Sequence, residues 1–407
     1  MPEAVIVDSV RSPIGRAFKG SLTQIRPDDL GAHVVDALLD RNPDVSPDSV
    51  EDLICGCGLP QGEQSYNIAR IIGLLSRLPN TTTGTTVHRY CASSLQAIRI
   101  AAHAVKAGEG DTFIAAGVEH VSRVGPWSED GLPQLMGAII QSAPEEAKGQ
   151  IPRPDFKNEK VDGNGSSTDA YISMGETAEN VAERYDVSRE SMDEYAQRSQ
   201  QLAVQARDSG FFDREIVPVE LPDGSTVDKD DGPRADSTVE KLAQLKPAFR
   251  EGGRVTAGNS CPLNDGAAAT LVMSDARAKE LGLEPRARIV ASATSGLEPE
   301  MMGVAPIGAI KSVLDRARMT IEDVDVVELN EAFAAQVLPI AEECSIDMDK
   351  LNPHGGAIAL GHPFGMTGAR IMTTLLNDLE SADKQVGIET MCVAGGQGMA
   401  MVVERLS

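Results

Sequence analysis

The chain has 407 residues, a formal net charge of −24, average apolar content and only 3% aromatic residues. The length points to roughly two or three domains, with enough chain to close a core without disulfides or metals. So acidic a balance excludes a protein that coats nucleic acid or anionic membranes, since both need a basic face, and an anionic ligand would have to meet a local patch of Lys and Arg. The core must be built from Ala, Val, Ile, Leu and Met.

Six cysteines are scattered at positions 55, 57, 91, 261, 344 and 392. They form no dense framework, so a reduced, cytoplasmic setting is expected. The opening MPEAVIVDSVRSPIGR has neither a basic leader nor an apolar signal core. No apolar run reaches the length of a bilayer span.

In chain order, AVIVDSV (4–10) predicts a buried strand, GAHVVDALLD (31–40) a helix and DLICGCG (52–58) a strand. SLQAIRIAAHAVKAG (94–108) predicts a helix and DTFIAAGV (111–118) a strand. From about 119 to 250 the chain changes character and is rich in Pro, Gly and charge. Within it MGETAENVAERY (174–185) and SRESMDEYAQRSQQLAVQARDSG (188–210) predict amphipathic helices, the second with Ser188 as N-cap and Gly210 at its end. This stretch reads as an inserted loop domain; a disordered acidic linker would lack such regular helices.

A second series begins with ARIVASATSG (287–296) as a strand. IGAIKSVLDRA (307–317) follows as a helix, VDVVELN (324–330) as a strand, GARIMTTLLNDL (368–379) as a helix and GIETMCVAGG (387–396) as a strand. Alternation of this kind predicts an α/β fold, and its repetition predicts two similar halves, 1–275 and 276–407.

Four places carry chemistry. Cys91 in TVHRYCASSLQA follows an extended segment and precedes a helix, where free N–H groups and the helix dipole would favour a thiolate. Ala92, Ser93 and Ser94 are small and would leave room for a substrate. A buried thiol that merely packs is the bland alternative. His362 lies in LNPHGGAIALGHPFGMTGAR, among glycines that allow unusual dihedrals and close approach; it is either a general base or a satisfied core residue. That run matches neither the dinucleotide fingerprint nor the P-loop. Cys392 in ETMCVAGGQG ends a strand and is either an acid/base or a packed thiol. Asn330, next to Glu331 in VVELNEAFA, could hold a water or an oxyanion, or simply cap a helix. Cys55 and Cys57 alternate along a strand and should pack on one side of it. No His or Cys group has zinc-site spacing, so no metal is expected.

Taken together, RSPIG, GEQSYNIAR, YCASSLQA, GVEHVSR, MGETAENVA, GFFDREIVPV, LKPAF, TAGNSCPLNDGAAA, MGVAPIGA, ELNEAFA, NPHGGAIALGHPFGMTGAR and CVAGGQG, in this order, resemble the thiolase family over almost the whole chain. The finer likeness is to actinobacterial acetyl-CoA acyltransferases. The resemblance implies two duplicated βαβαβαββ halves in a five-layer α-β-α-β-α arrangement. It implies transfer of an acyl group between a 3-ketoacyl-CoA and coenzyme A, in fatty-acid β-oxidation, with an acetoacetyl-CoA thiolase as the alternative. Cys91 would be the acyl-accepting nucleophile, His362 its base and Cys392 the acid/base at the α-carbon. One oxyanion would be held by His362 and a water on Asn330, the other by the backbone N–H groups of Cys91 and Ala394.

Ala394 stands where the family usually has Gly, so its φ is at issue. Arg234 matches a position near the nucleotide, and Met174, Ala257, Cys261, Met302 and Phe333 match positions along the pantetheine arm. Lys241, Lys246 and Arg250 could complete a basic patch. Cys261 replaces a common Ser, Ser173 a His of short-chain relatives, and His88 the usual Asn. Coenzyme A would be a co-substrate, with no resident cofactor, and the assembly a homodimer or homotetramer. Cys392 argues against a ketoacyl-acyl-carrier synthase, and four intact catalytic positions argue against an inert lipid carrier.

Overall fold

The computed structural model describes residues 2–124, 158–161, 167–168 and 172–407. Most of the Pro- and Gly-rich segments 129–137 and 144–165 therefore lie outside the described residues.

The first half runs β1 (Ala4–Arg11), α1 (Pro27–Arg41), β2 (Asp52–Cys57), α2 (Ile68–Leu75), β3 (Thr83–Val87), α3 (Ser93–Ala107) and β4 (Thr112–His120). The insertion follows, with α4 (Met174–Arg184) and α5 (Arg189–Asp208), before β5 (Asn264–Ser274) closes the half. The second half runs β6 (Ala287–Gly296), α6 (Pro306–Ala317), β7 (Val326–Leu329), α7 (Ala334–Glu343), α8 (Thr367–Ser381), β8 (Val386–Val393) and β9 (Gln397–Arg405). The expected duplication is present, with one reduction. The third strand of the second half has shrunk to a single parallel bridge between Leu351 and Val327.

The nine strands, with Gly15–Arg16 paired to β5, form one sheet in the order β7-β8-β9-β6-β1-β5-β4-β2-β3. Outward from the seam each half reads first, last, penultimate, second, so the order is mirrored about the β6–β1 pair. Only Val5–Arg288 and Ile6–Ala287 pair across that seam. What binds the halves is a shared middle layer. Leu95, Ile98 and Val105 of α3 and Ile371, Leu375 and Leu379 of α8 are buried in one cluster with Ile6, Val272, Met391 and Met401. The two helices approach so closely that a Cβ on Gly368 would lie 2.3 Å from the backbone nitrogen of Leu95.

Local signals explain the element ends. Ser188 accepts a hydrogen bond from the Ser191 N–H, and Gly210 takes a φ of 78° just past α5. Cys55 and Cys57 are fully buried in one cluster, on one face of β2 as expected. β5, with sequence NDGAAATLVMS, is buried along its whole length. It shows no alternation because helices cover one face and the middle layer the other.

A buried ion cluster ties the insertion to the first strand. Arg11 donates to Glu215 at 2.7 Å and to both oxygens of Asp230 at 2.8 and 3.0 Å, with its side chain fully buried. Replacing Arg11 by Met would leave two carboxylates without their cation. The expected loss is about 3–5 kcal/mol, read as a lower urea midpoint at unchanged slope.

Candidate active site

Cys91 sits in a one-turn segment, Tyr90–Ala92, between edge strand β3 and α3. Tyr90 takes a positive φ of 43°, which in a bulky residue costs roughly 1–3 kcal/mol and marks a position held by its surroundings. Ser93 secures the turn: its Oγ accepts from the Arg89 N–H at 2.9 Å and donates to the Tyr90 carbonyl at 2.6 Å. Ser94 Oγ accepts from the Ala369 N–H at 2.9 Å and locks α3 to α8. The small residues after Cys91 therefore serve close packing. They do not make room for a substrate, because Ala92, Ser93 and Ser94 are fully buried and none lines the cavity.

His362 occupies the corresponding place before α8. Gly361 precedes it with a φ of 114°, and a Cβ there would fall within 2.7 Å of the Asn264 amide. The His362 N–H donates to Asn264 Oδ1 at 3.0 Å. Its Nδ1 lies 2.7 Å from Thr367 Oγ1, which donates its one proton to the Pro363 carbonyl at 2.8 Å. Nδ1 must then carry the ring proton and donate it to Thr367. Nε2 is left with its lone pair, 3.3 Å from the amide nitrogen of Asn330. Burial, reinforced by the Arg370 charge, pushes the imidazole down to about 3. It is neutral at working pH, with Nε2 as its acceptor atom.

Cys392 is the penultimate residue of β8. Burial raises its thiol to about 11, against the opposing pull of the Gln336 amide, whose Nε2 donates to Sγ at 3.0 Å. Cys91 is also raised well above the ordinary thiol value, first by burial and then by Cys392 and Cys261. The sequence expectation of a helix-stabilised thiolate fails here on magnitude. A helix N-terminus contributes about 0.3–1 kcal/mol, less than one pKa unit, and desolvation of the half-buried Cys91 sulfur outweighs it.

Cys91, His362 and Cys392 line one cavity of about 170 Å³, together with Met174, Gly175, Phe249, Cys261, Leu263, Met302, Ala332, Phe333 and Phe364. The structure thus brings together the three reactive groups and four of the expected pantetheine contacts. Asn330 stands behind His362, with its Oδ1 buried and without a partner among the described residues. Arg234 and Ala257 do not line the cavity and are exposed. Ala394 falls on the turn after β8, outside the lining and without a positive φ; Gly395 and Gly396 carry the positive values instead, at 79° and 76°. Alanine is therefore accommodated without strain.

The expected basic patch is thin. Lys241 pairs with Asp236 at 2.8 Å and Arg250 with Glu176 at 2.6 Å, leaving Arg234 and Lys246 as the exposed members with no ion pair among the described residues. Ser173 is buried as the N-cap of α4, where it accepts from the Glu176 N–H. His88 Nδ1 lies 3.2 Å from the Cys57 carbonyl, and its ring meets Tyr90 edge-on at 4.5 Å. His354 is elsewhere, paired with Asp378 and stacked on Phe211.

Several residues that shape the site carry no local sequence signal: Thr367, Asn264, Gln336 and Glu119. Glu119 is fully buried and accepts from the N–H groups of Gly58, Leu59 and Gly365 and from Gln64 Nε2. It joins the loop after β2 to the His362 loop. Burial raises its carboxyl to about 7 despite these four donors. Among the described residues no group of three or more His, Cys, Asp or Glu is arranged to hold a metal, and no helix is long and apolar enough to cross a membrane.

The family models for the thiolase N-terminal domain and the thiolase C-terminal domain match residues 4–276 and 283–405. The fold is accordingly that of an acyltransferase class. A beta-ketoadipyl-CoA thiolase of Acinetobacter baylyi is 43% identical over the full length of both chains, and a 3-ketoacyl-CoA thiolase of Bacillus subtilis is 42% identical over 99% of this chain and 100% of that one. The crystal structure of the Bacillus anthracis acetyl-CoA acetyltransferase superposes with a TM-score of 0.86 at 38% identity, covering 100% of this chain and 99% of the other. The chain belongs to the thiolase family.

Two measurements check the geometry. Replacing Thr367 by Val removes the acceptor that fixes the ring proton on Nδ1. With one hydrogen bond worth about 1 kcal/mol, kcat should fall roughly fivefold or more while the unfolding midpoint changes little. Because the Cys91 thiol is raised, its alkylation by iodoacetamide should climb about tenfold per pH unit through pH 7–9 without a plateau; a plateau below pH 8 would contradict the burial argument.

Proposed function

We propose that this thiolase cleaves a 3-ketoacyl-CoA with coenzyme A, or runs the reverse condensation, through an acyl group carried on Cys91. The observation that carries the assignment of roles is the meeting of the Cys91 and Cys392 thiols and the His362 imidazole in one cavity. His362 Nε2 takes the Cys91 proton, and the sulfur adds to the 3-keto carbon. The Cα–Cβ bond breaks, its electron pair passes into the enolate of acetyl-CoA, and the Cys392 S–H protonates that carbon. The proton held on His362 passes to the Cys392 thiolate, which restores both groups; coenzyme A then attacks the thioester, giving up its thiol proton to His362, which hands it to the departing Cys91 sulfur.

Both thiols are neutral at rest, which suits this order of events. Cys91 needs a base at the moment of attack, and Cys392 must hold a proton to give. Once protonated on Nε2, His362 can donate to the oxygen of one oxyanion, with a water that donates to Asn330 Oδ1, an atom without a partner among the described residues, as the second donor. The backbone N–H groups of Cys91 and Ala394 would hold the other. Coenzyme A would serve as co-substrate, with no resident cofactor, its pantetheine passing Met174, Cys261, Met302 and Phe333 and its nucleotide lying toward Ala257 and Arg234.

The Met- and Phe-rich lining supports an apolar acyl chain. The halves 1–275 and 276–407 would each supply part of the machinery, in a cytoplasmic enzyme. A homodimer or homotetramer is supported by the uncovered edge of β3 beside the exposed Ile71, Leu74 and Leu75 of α2. The affinity to actinobacterial acetyl-CoA acyltransferases belongs to the same proposal.

The deciding assay supplies 3-ketoacyl-CoA esters of increasing length with coenzyme A and measures acetyl-CoA. Turnover is expected and should vanish in Cys91→Ser. Equal inertness of wild type and variant at every length, or turnover of a malonyl thioester, would overturn the proposal.

A further inference from the structure

Gln336 lies in the first turn of α7, fully buried, with its N–H bonded to the Phe333 carbonyl at 3.2 Å. Its side chain rests against Gly303, where a Cβ would come within 3.0 Å of Gln336 Cβ and 3.3 Å of its Oε1. The amide nitrogen donates to Cys392 Sγ at 3.0 Å, short for a bond to sulfur. The amide oxygen is buried and has no partner among the described residues.

A glutamine kept only to satisfy the core would have its carbonyl bonded, because an unpartnered buried acceptor costs about 1–3 kcal/mol. Here, among the described residues, the side chain bonds only to the sulfur. A donor aimed at sulfur favours the thiolate over the thiol, since a charge-assisted hydrogen bond is about twice as strong as a neutral one. Turning the amide over would present Oε1 to the S–H of the neutral form. The same side chain can therefore partner the sulfur in both protonation states.

The titratable groups facing Cys392 from other elements are Cys91 on the turn before α3, Cys261 on the segment before β5, and His362 on the loop before α8. None of them is charged at neutral pH, and among the described residues the cavity lining carries no Lys, Arg, Asp or Glu. Among the described residues, Gln336 is the first group offsetting burial of the thiolate, followed by the backbone N–H of Cys392 itself.

We infer, on the assignment of Cys392 as the acid/base, that Gln336 is a positioning residue that brings the Cys392 thiol into the range where it can both take and return the α-proton of acetyl-CoA. The step it serves is balanced. The Cys392 thiolate removes a proton from the methyl carbon, leaving an enolate and Cys392–SH, and the reverse transfer restores both. Acyl transfer from acetyl-CoA to Cys91 with release of coenzyme A does not use this group. The two half-reactions therefore separate its role from a general effect on the fold.

The test compares wild type, Gln336→Met, Gln336→Glu and Cys392→Ala in two assays. One is washout of acetyl-CoA methyl protons in D₂O across pH 6–10; the other is acetyl exchange between acetyl-CoA and labelled coenzyme A. Met keeps the shape and loses the donor. The expected result is a loss of proton washout in Gln336→Met about tenfold greater than its loss of acetyl exchange, with the washout profile moved up by roughly one pH unit. Gln336→Glu, which places a negative group on the sulfur, should move it further. Parallel losses in both assays, or an unmoved washout profile, would overturn the role of Gln336 while leaving Cys392 intact as the acid/base. Washout that persists at wild-type rate in Cys392→Ala would overturn the assignment of Cys392 itself, and the inference with it.

Discussion

The site depends on how closely the N-termini of the two central helices can approach. α3 delivers Cys91 and α8 delivers His362, and each comes from a different half of the chain. Gly368 lets the helices touch at Leu95, and the Ser94 hydroxyl bonds across to the Ala369 N–H. Glu119 adds a third tie, gathering N–H groups from the loop after β2 and from Gly365, three residues beyond His362. A side chain at Gly368, or an apolar residue at 119, would move one half of the machinery relative to the other. Displacements near an ångström are enough to disable a site that works by near-attack geometry.

Within that frame the electrostatics follow from burial. The cavity is lined mostly by apolar groups, and burial pushes the ionisable groups in it toward their neutral forms. The thiols rise and the imidazole falls. The groups therefore carry no standing charge at neutral pH. Fixed hydrogen bonds set the directions: Thr367 fixes which imidazole nitrogen is free, and Gln336 faces the second sulfur. The strongly acidic surface has no counterpart inside the cavity, where the described lining carries no acidic side chain.

Much of this was legible in the residues themselves. The strand at 287–296 agrees with the structure residue for residue, and the helices around 94–108 and 189–208 agree to within two residues at each end. Periodicity and caps suffice there. β5 carries no strand signal in its sequence, because Ala and Gly lack β preference and a strand buried on both faces shows no alternation. The shrunken third strand of the second half has no sequence mark at all, since one bridge at Leu351 needs no pattern. The reactive trio was found through its motifs. Its supports were not, because Gln336 and Cys392 stand 56 residues apart and Thr367 bonds through a proton that only the fold assigns. The expected acidity of Cys91 failed for a related reason: a helix start is visible in sequence, whereas the depth of burial that outweighs it is a tertiary property.

The narrow seam between β1 and β6 has a consequence for biosynthesis. Translation proceeds from the first half, so β1 emerges early with its outer edge bare and meets its neighbour only after residues 287–288 have left the ribosome. Until then the nascent half presents an open strand edge and half of a middle layer with no α8 to cover it. Cys91 is made long before the imidazole that would activate it. A prematurely terminated product would thus be sticky but chemically idle, unable to draw on the cell's pool of activated acyl groups, and a natural client for chaperones until the final strand pair is in place.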